Sequence, residues 1–140
     1  MAEFVMKDLV EKAGRAGEFV IASSATSTEE VGMPVYPGTK KVLRAHGISC
    51  EGKRAVQLRA DDYGKYDLFV GMDAANVRNM RRMLGGDPMG KVHKLLEFPE
   101  EVSTDSAPDV ADPWYTRDFD TTYDDVLRGC QALLGNLSNS

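Results

Sequence analysis

Asp67-Leu68-Phe69-Val70-Gly71-Met72-Asp73 joins an apolar run to a helix-capping residue, and its reading decides the fold. A short run of continuous apolar character suits a strand covered on both faces, as in a parallel sheet. Asp73 then stands where its carboxylate can accept the first free N–H groups of a helix from Ala74 to Leu84. Val77, Met80 and Leu84 mark the inner face of that helix, Gly85-Gly86-Asp87-Pro88 breaks it, and Val92 to Leu96 reads as the next strand.

Upstream, Ala2 to Ala13 places Val5, Met6, Leu9, Val10 and Ala13 at helical spacing, with Gly14 to stop it. Met1-Ala2-Glu3 offers no Ser, Thr, Asp or Asn to cap its start. Phe19-Val20-Ile21-Ala22 reads as a short buried strand followed by the small polar run Ser23 to Ser27. Pro34 and Pro37 mark a loop, Thr39 to Ala45 a helix closed by His46-Gly47, and Ile48 to Lys53 a variable loop. Downstream, Glu97 to Val110 is acidic and loop-like. Phe119, Tyr123, Val126, Leu127, Cys130, Leu133 and Leu134 then keep helical period up to Gly135, and residues 136–140 read as a loose tail after a domain over 1–135.

The order is α-β-α-β-α-β-α, the alternation that makes an α/β three-layer sandwich with a parallel sheet. Four helices around three strands leave the first helix without the strand that a right-handed βα unit feeds into it. A strand before Met1 would complete the pattern. Without it, two strand edges stand unpaired, the fold is marginal, and those edges offer a surface for a homodimer.

A formal charge of −5 and a pI near 5.0 argue against nucleic acid or an anionic membrane surface as partners, since both need a dense basic face. The start has no basic segment followed by an apolar run, and no stretch nears the length of a membrane span, so a cytoplasmic protein is expected. Cys50 and Cys130 are too few and too distant for a disulfide framework or zinc knuckle and read as free thiols. His46 and His93 have no partner at ligand spacing, so no metal is expected.

In doubly wound sheets ligands bind beyond the carboxyl ends of the strands. Ser23 and Ser24 follow the first visible strand, Asp73 the second, and Asp112 lies on the loop after the third. Each also has a plain reading: Asp73 as a helix cap, the serines as loop hydroxyls, Asp112 before Pro113 as a turn starter, Trp114 and Tyr115 as core cover. Arg78, Arg81 and Arg82 read as a solvated helix face.

Taken together, Met1-Ala2-Glu3-Phe4, Ser23 to Ser27, Gly32-Met33-Pro34, His46-Gly47-Ile48, Gly71-Met72-Asp73 with Asn76 and Arg78, and Asp112-Pro113-Trp114-Tyr115 resemble the low-molecular-weight protein tyrosine phosphatases, in order and spacing, up to about Leu134. The resemblance implies a four-stranded parallel sheet of order 2-1-3-4 and hydrolysis of phosphotyrosine through a cysteinyl-phosphate intermediate, without cofactor. It implies that Asp112 is the general acid, that Trp114 and Tyr115 flank the phenyl ring, and that Ser23 and Asp73 brace the phosphate loop, with Asn76 and Arg78 structural. Substrates would be a phosphotyrosine protein or a small aryl phosphate. The family's loop, C-x5-R-[ST], follows its first strand and directly precedes a stretch like Met1 to Phe4. That strand and loop are expected to be missing from this chain, because Arg54 comes four residues after Cys50 instead of six and no arginine follows Cys130. The chain alone is therefore expected to be inactive, with a non-catalytic scaffold or binding module as the alternative. Thr28-Glu29 stands where many members carry an aromatic, which keeps arsenate reductase and protein arginine phosphatase, built on the same fold, open as further alternatives.

Overall fold

The computed structural model describes residues 1–24, 37–50, 56–111 and 118–138. Its centre is a parallel ladder of two short strands, β1 (Phe69–Gly71) and β2 (Val92–Lys94), with Phe69 opposite Val92, Val70 opposite His93 and Gly71 opposite Lys94. The unit read from Asp67 to Asp73 is therefore strand followed by helix, as its pattern predicts. Alternate residues of the ladder face opposite sides. Phe69 and Val92 enter an apolar cluster with Val77 and Met80 of α3 (Ala74–Met83) and with Leu84, which ends that helix. Val70 and, past the end of β2, Leu95 enter the larger cluster built by α1 (Ala2–Lys12), α2 (Pro37–Ala45) and the last helix. Helices thus cover both faces of a parallel sheet, giving an α/β fold.

α1 starts without a side-chain cap, as its sequence predicts. It ends on Gly14, whose φ of +72° lets the N–H groups of Gly14 and Arg15 turn back onto the carbonyls of Glu11 and Val10. α2 ends the same way at Gly47 (φ +75°), with Gly47 bonded to Arg44 and Ile48 to Leu43. α2 begins at Pro37 and not at Thr39, since the fixed φ of proline suits a first helical residue.

Three expectations need correction. Phe19 to Ala22 forms no strand: Phe19 is extended (φ −129°, ψ 140°), and Phe19 and Ile21 lean on the larger cluster, but Val20 is 85% exposed. A strand exists only with a ladder partner, and no described residue supplies one. The segment 97–110 is not wholly loop, because α4 (Glu97–Glu100) and a 3-10 turn (Thr104–Ser106) interrupt it, α4 lying against the last helix. That helix, α5 (Phe119–Ser138), runs through Gly135 into the expected tail. A glycine costs a helix about 1 kcal/mol relative to alanine. Leu134 just before Gly135 and Leu137 beyond it continue the apolar stripe and pack on the cluster, which offsets that cost. Tyr123, Val126, Cys130 and Leu133 are buried along the same stripe. Gly129 lies where α5 meets Leu95, and a Cβ there would overlap that side chain.

Candidate active site

β1 leaves the sheet at Met72 and passes straight into the cap of α3. Asp73 Oδ1 accepts the Asn76 N–H at 2.7 Å, and Asn76 Oδ1 accepts the Met72 N–H at 3.1 Å. Two donors at the strand exit are thereby satisfied reciprocally, a variant of the capping box reaching one residue further back. The plain cap reading of Asp73 is realised, and it uses one carboxylate oxygen; the other makes no hydrogen bond among the described residues. Arg78 is exposed, on the solvent side of α3.

Ser23 is tied elsewhere. Its Oγ donates to Glu3 Oε1 at 2.5 Å, while Lys7 Nζ contacts Glu3 Oε2 at 2.6 Å. Glu3 is 7% exposed, so the pair of donors compensates a nearly buried carboxylate in the first turn of α1. Ser23 thus pins the extended segment to the start of α1, and Ser24 beside it is exposed. Ser23 shares no hydrogen bond with Asp73 or Asn76 among the described residues. Asp112, Trp114 and Tyr115 lie outside the described residues.

What the structure does describe are both stems of the segment that carries them. Val110 is buried and its N–H donates to Met72 O at 2.8 Å, which sets this stem against the exit of β1. Lys94, 5% exposed at the end of β2, donates to Ala107 O at 2.8 Å and to Asp109 Oδ1 at 2.9 Å. Asp109 Oδ1 also accepts the Ala74 N–H at 3.0 Å. The Lys94 hydrogen bond, followed by the Ala74 N–H and the lysine charge, holds the Asp109 carboxyl below its ordinary value against the opposing effect of burial. At the next residue, the Ala111 N–H donates to Asp125 Oδ2 and its carbonyl accepts from Thr122 Oγ1. Beyond the segment, Asp118 accepts from the N–H and hydroxyl of Thr121 at the start of α5, and these bonds keep its carboxyl below the usual range.

Lys94, Asp109, Thr122 and Asp125 carry no motif and were missed by the sequence reading. A lysine between Val92 and Leu95-Leu96 is the one signal that could have flagged Lys94, because a buried ammonium needs acceptors nearby.

Both cysteines are buried free thiols. Burial pushes the Cys130 thiol up to about 12, so it carries almost no thiolate near neutrality. Cys50 lies on a groove rimmed by Lys40 and Arg44, but those cations stand on α2 and not on a loop following the cysteine, so the groove is no phosphate loop. His46 stacks on Tyr123 with ring centres 3.9 Å apart, and His93 Nδ1 lies 3.1 Å from Glu97 Oε2. Among the described residues no group of three His, Cys, Asp or Glu could hold a metal ion. No described helix is long and apolar enough to cross a membrane.

The sequence is 34% identical over 137 residues to the low molecular weight protein-tyrosine-phosphatase YfkJ of Bacillus subtilis, covering 98% of this chain and 86% of that protein. It is also 34% identical over 134 residues to the low molecular weight protein-tyrosine-phosphatase PtpA of Staphylococcus aureus, covering 96% of this chain and 82% of the relative. The crystal structure of YfkJ superposes with a TM-score of 0.90 at 31% identity over 99% of this chain and 85% of that one. That of SP-PTP, the low molecular weight protein tyrosine phosphatase of Streptococcus pyogenes, superposes with a TM-score of 0.82 at 35% identity over 97% and 82%. Residues 1–140 match the low molecular weight phosphotyrosine protein phosphatase family throughout, and the chain belongs to that family.

Proposed function

We propose that the chain carries the acid half of a protein-tyrosine phosphatase. In this reading a cysteine thiolate attacks the phosphorus of a phosphotyrosine protein or a small aryl phosphate, the bond to the phenolic oxygen breaks, and Asp112 gives that oxygen its proton. Asp112, now a carboxylate, then takes a proton from the water that hydrolyses the cysteinyl phosphate, which restores both groups. Trp114 and Tyr115 flank the phenyl ring. Ser23, Asp73 and Asn76 brace the phosphate loop, and Asp73 keeps one carboxylate oxygen available for that task beside its capping bond.

One observation carries this reading: Ala111, the residue before Asp112, is bonded on both its N–H and its carbonyl, while Val110 is bonded to Met72 at the carboxyl end of β1. The carboxyl edge of such a sheet is where ligands bind. The 140 residues contain no C-x5-R run, and of their two buried thiols neither follows a strand with an arginine six residues on. The chain by itself is therefore proposed to be inactive. It would work in the cytoplasm, and the edge of β1 that faces away from β2 would be the contact if two copies associate.

Turnover of p-nitrophenyl phosphate is the test. The 140-residue chain should release no nitrophenol above the protein-free rate. A fusion bearing a family strand and C-x5-R-[ST] loop ahead of Met1 should gain turnover, and Asp112→Asn in that fusion should lower kcat by roughly 100- to 10,000-fold. Hydrolysis by the unextended chain that disappears with Asp112→Asn would overturn the proposed inactivity, and an unaffected Asp112→Asn fusion would overturn the acid role. Running the fusion against phosphoarginine and arsenate separates the tyrosine enzyme from its two alternatives on this fold.

A further inference from the structure

In its nine residues α2 carries Lys40, Lys41 and Arg44 and no acidic residue, in a chain whose formal charge is −5. Elsewhere Lys7, Lys12, Arg15, Arg81, Lys94 and Arg128 each meet a carboxylate at 2.6 to 3.3 Å. None of the three cations of α2 forms an ion pair among the described residues. Lys40 and Arg44 stand four residues apart and so on one face of the helix, where like charges one turn apart repel each other. Arg44, in the last turn, complements the negative end of the helix; Lys40 lies in the first half, beyond the reach of that effect.

These two cations rim a groove of about 230 Å³ whose remaining lining is Gly47, Ile48, Ser49 and Cys50, with no carboxylate among them. The lining is fixed by the fold. Val42 and Leu43 anchor α2 in the core, the Gly47 N–H donates to Arg44 O at 3.0 Å, and the Ile48 N–H donates to Leu43 O at 2.9 Å. Ile48 and Cys50 are 8% and 6% exposed, so their side chains belong to the core cluster and give the groove an apolar floor. A preformed concavity with an apolar floor and convergent charge is the form a small-ligand site takes.

We propose that this groove binds a small organic phosphate. The Arg44 guanidinium offers a fork that matches two phosphate oxygens, the Lys40 ammonium adds a point charge, and Ile48 meets the carbon part. At about 30 Å³ per water the groove has room for roughly eight waters, which sets the ligand at about that number of non-hydrogen atoms. No bond is made or broken there. Because the lining is held in place by α2 and its closing turn, binding costs little ordering of the protein.

The experiment titrates the nitrogen-15-labelled 140-residue protein with propylphosphonate, an uncleavable stand-in for a small phosphate ester, and follows the backbone amides by NMR. The amides of Gly47 to Cys50 should move along one saturating curve with a Kd on the order of 1 mM. Lys40→Ala and Arg44→Ala should each weaken binding about 10-fold, since each removes a charge-assisted contact. Lys41→Ala, which removes a cation outside the groove lining, should leave it unchanged. Propionamide, of similar size but uncharged, should not bind. Arg44 is exposed, so Arg44→Ala decides the question even where Lys40→Ala lowers helix content by circular dichroism. Shifts that never saturate, binding that survives Arg44→Ala, or equal weakening by Lys41→Ala would overturn the site. Inorganic phosphate should bind more weakly than propylphosphonate; tighter binding of the bare ion would overturn the organic ligand.

Discussion

The two long edges of the sheet are finished in different ways. In a parallel ladder alternate residues bond to alternate sides, so Val92 and Lys94 turn their N–H groups away from β1 and Val70 turns its own away from β2. On the β2 side both donors are met by carboxylates: Asp87 Oδ2 accepts from Val92 at 3.0 Å and Glu97 Oε1 from Lys94 at 2.6 Å. Asp87 is held in turn by the Tyr63 hydroxyl at 2.8 Å and the Lys91 N–H at 2.7 Å, and Glu97 by the Thr104 hydroxyl at 2.7 Å. On the β1 side no described strand continues the ladder, and residues 19–22, which share an apolar cluster with Val70, stay unpaired as a strand. Acidic side chains close the first edge to another strand, while on the second no hydrogen bond from the described residues meets the outward N–H of Val70.

Removing the first cap should have the largest effect. Asp87→Ala leaves the outward N–H of Val92, the Lys91 N–H and the Tyr63 hydroxyl without their acceptor, and the loss should be about 3 kcal/mol in urea unfolding. Burial alone would raise the Asp87 carboxyl, but the Tyr63, Val92 and Lys91 hydrogen bonds outweigh it and hold the group below its ordinary value. A depressed folded value means the contribution is fully present above the unfolded carboxylate value of about 3.9 and is lost as pH falls through the folded one. The stability gap between the parent and Asp87→Asn should therefore hold steady from neutrality to about pH 5 and close below about pH 4. A gap that widens on acidification would contradict the assignment.

Glu97→Ala should cost less, about 1–2 kcal/mol by the same measurement, since Lys94 keeps its side-chain anchors to Ala107 and Asp109. A loss equal to that of Asp87→Ala would show that the second cap carries the edge as much as the first. The open side should respond least. Val20→Asp, at 85% exposure, should change stability by no more than about 0.5 kcal/mol. A loss of several times that size would mean that Val20 is covered in solution and that the contrast between the edges is false.

Local patterns that carry their own physical cause were legible in the sequence. The helix of Asp73, the glycine stops at Gly14 and Gly47, and the stripe from Tyr123 to Leu133 all appear where spacing and backbone chemistry put them. Phe19 to Ala22 was misread because its apolar content says that it could be a strand, whereas strand formation depends on a partner distant in sequence. Gly135 was misread as a stop because its helix penalty is local and the burial of Leu137 that offsets it is not. The resemblance pointed to Asp112, Trp114 and Tyr115 as the reacting side of the site, but not to the residues that hold the stem before them.

By itself the sequence determined much of the alternation of strand and helix, the family and the lack of a C-x5-R run, because each follows from residues close together or from a motif. Tertiary structure alone decided which edge of the sheet is capped, that Lys94 and Asp109 tie the segment after β2 to the start of α3, and that Thr122 and Asp125 grip Ala111. Those bonds join residues 3 to 35 positions apart. Serine, threonine, lysine and aspartate are common surface residues, and only the packing of α5 and α3 against the sheet brings these particular ones to the backbone groups they satisfy.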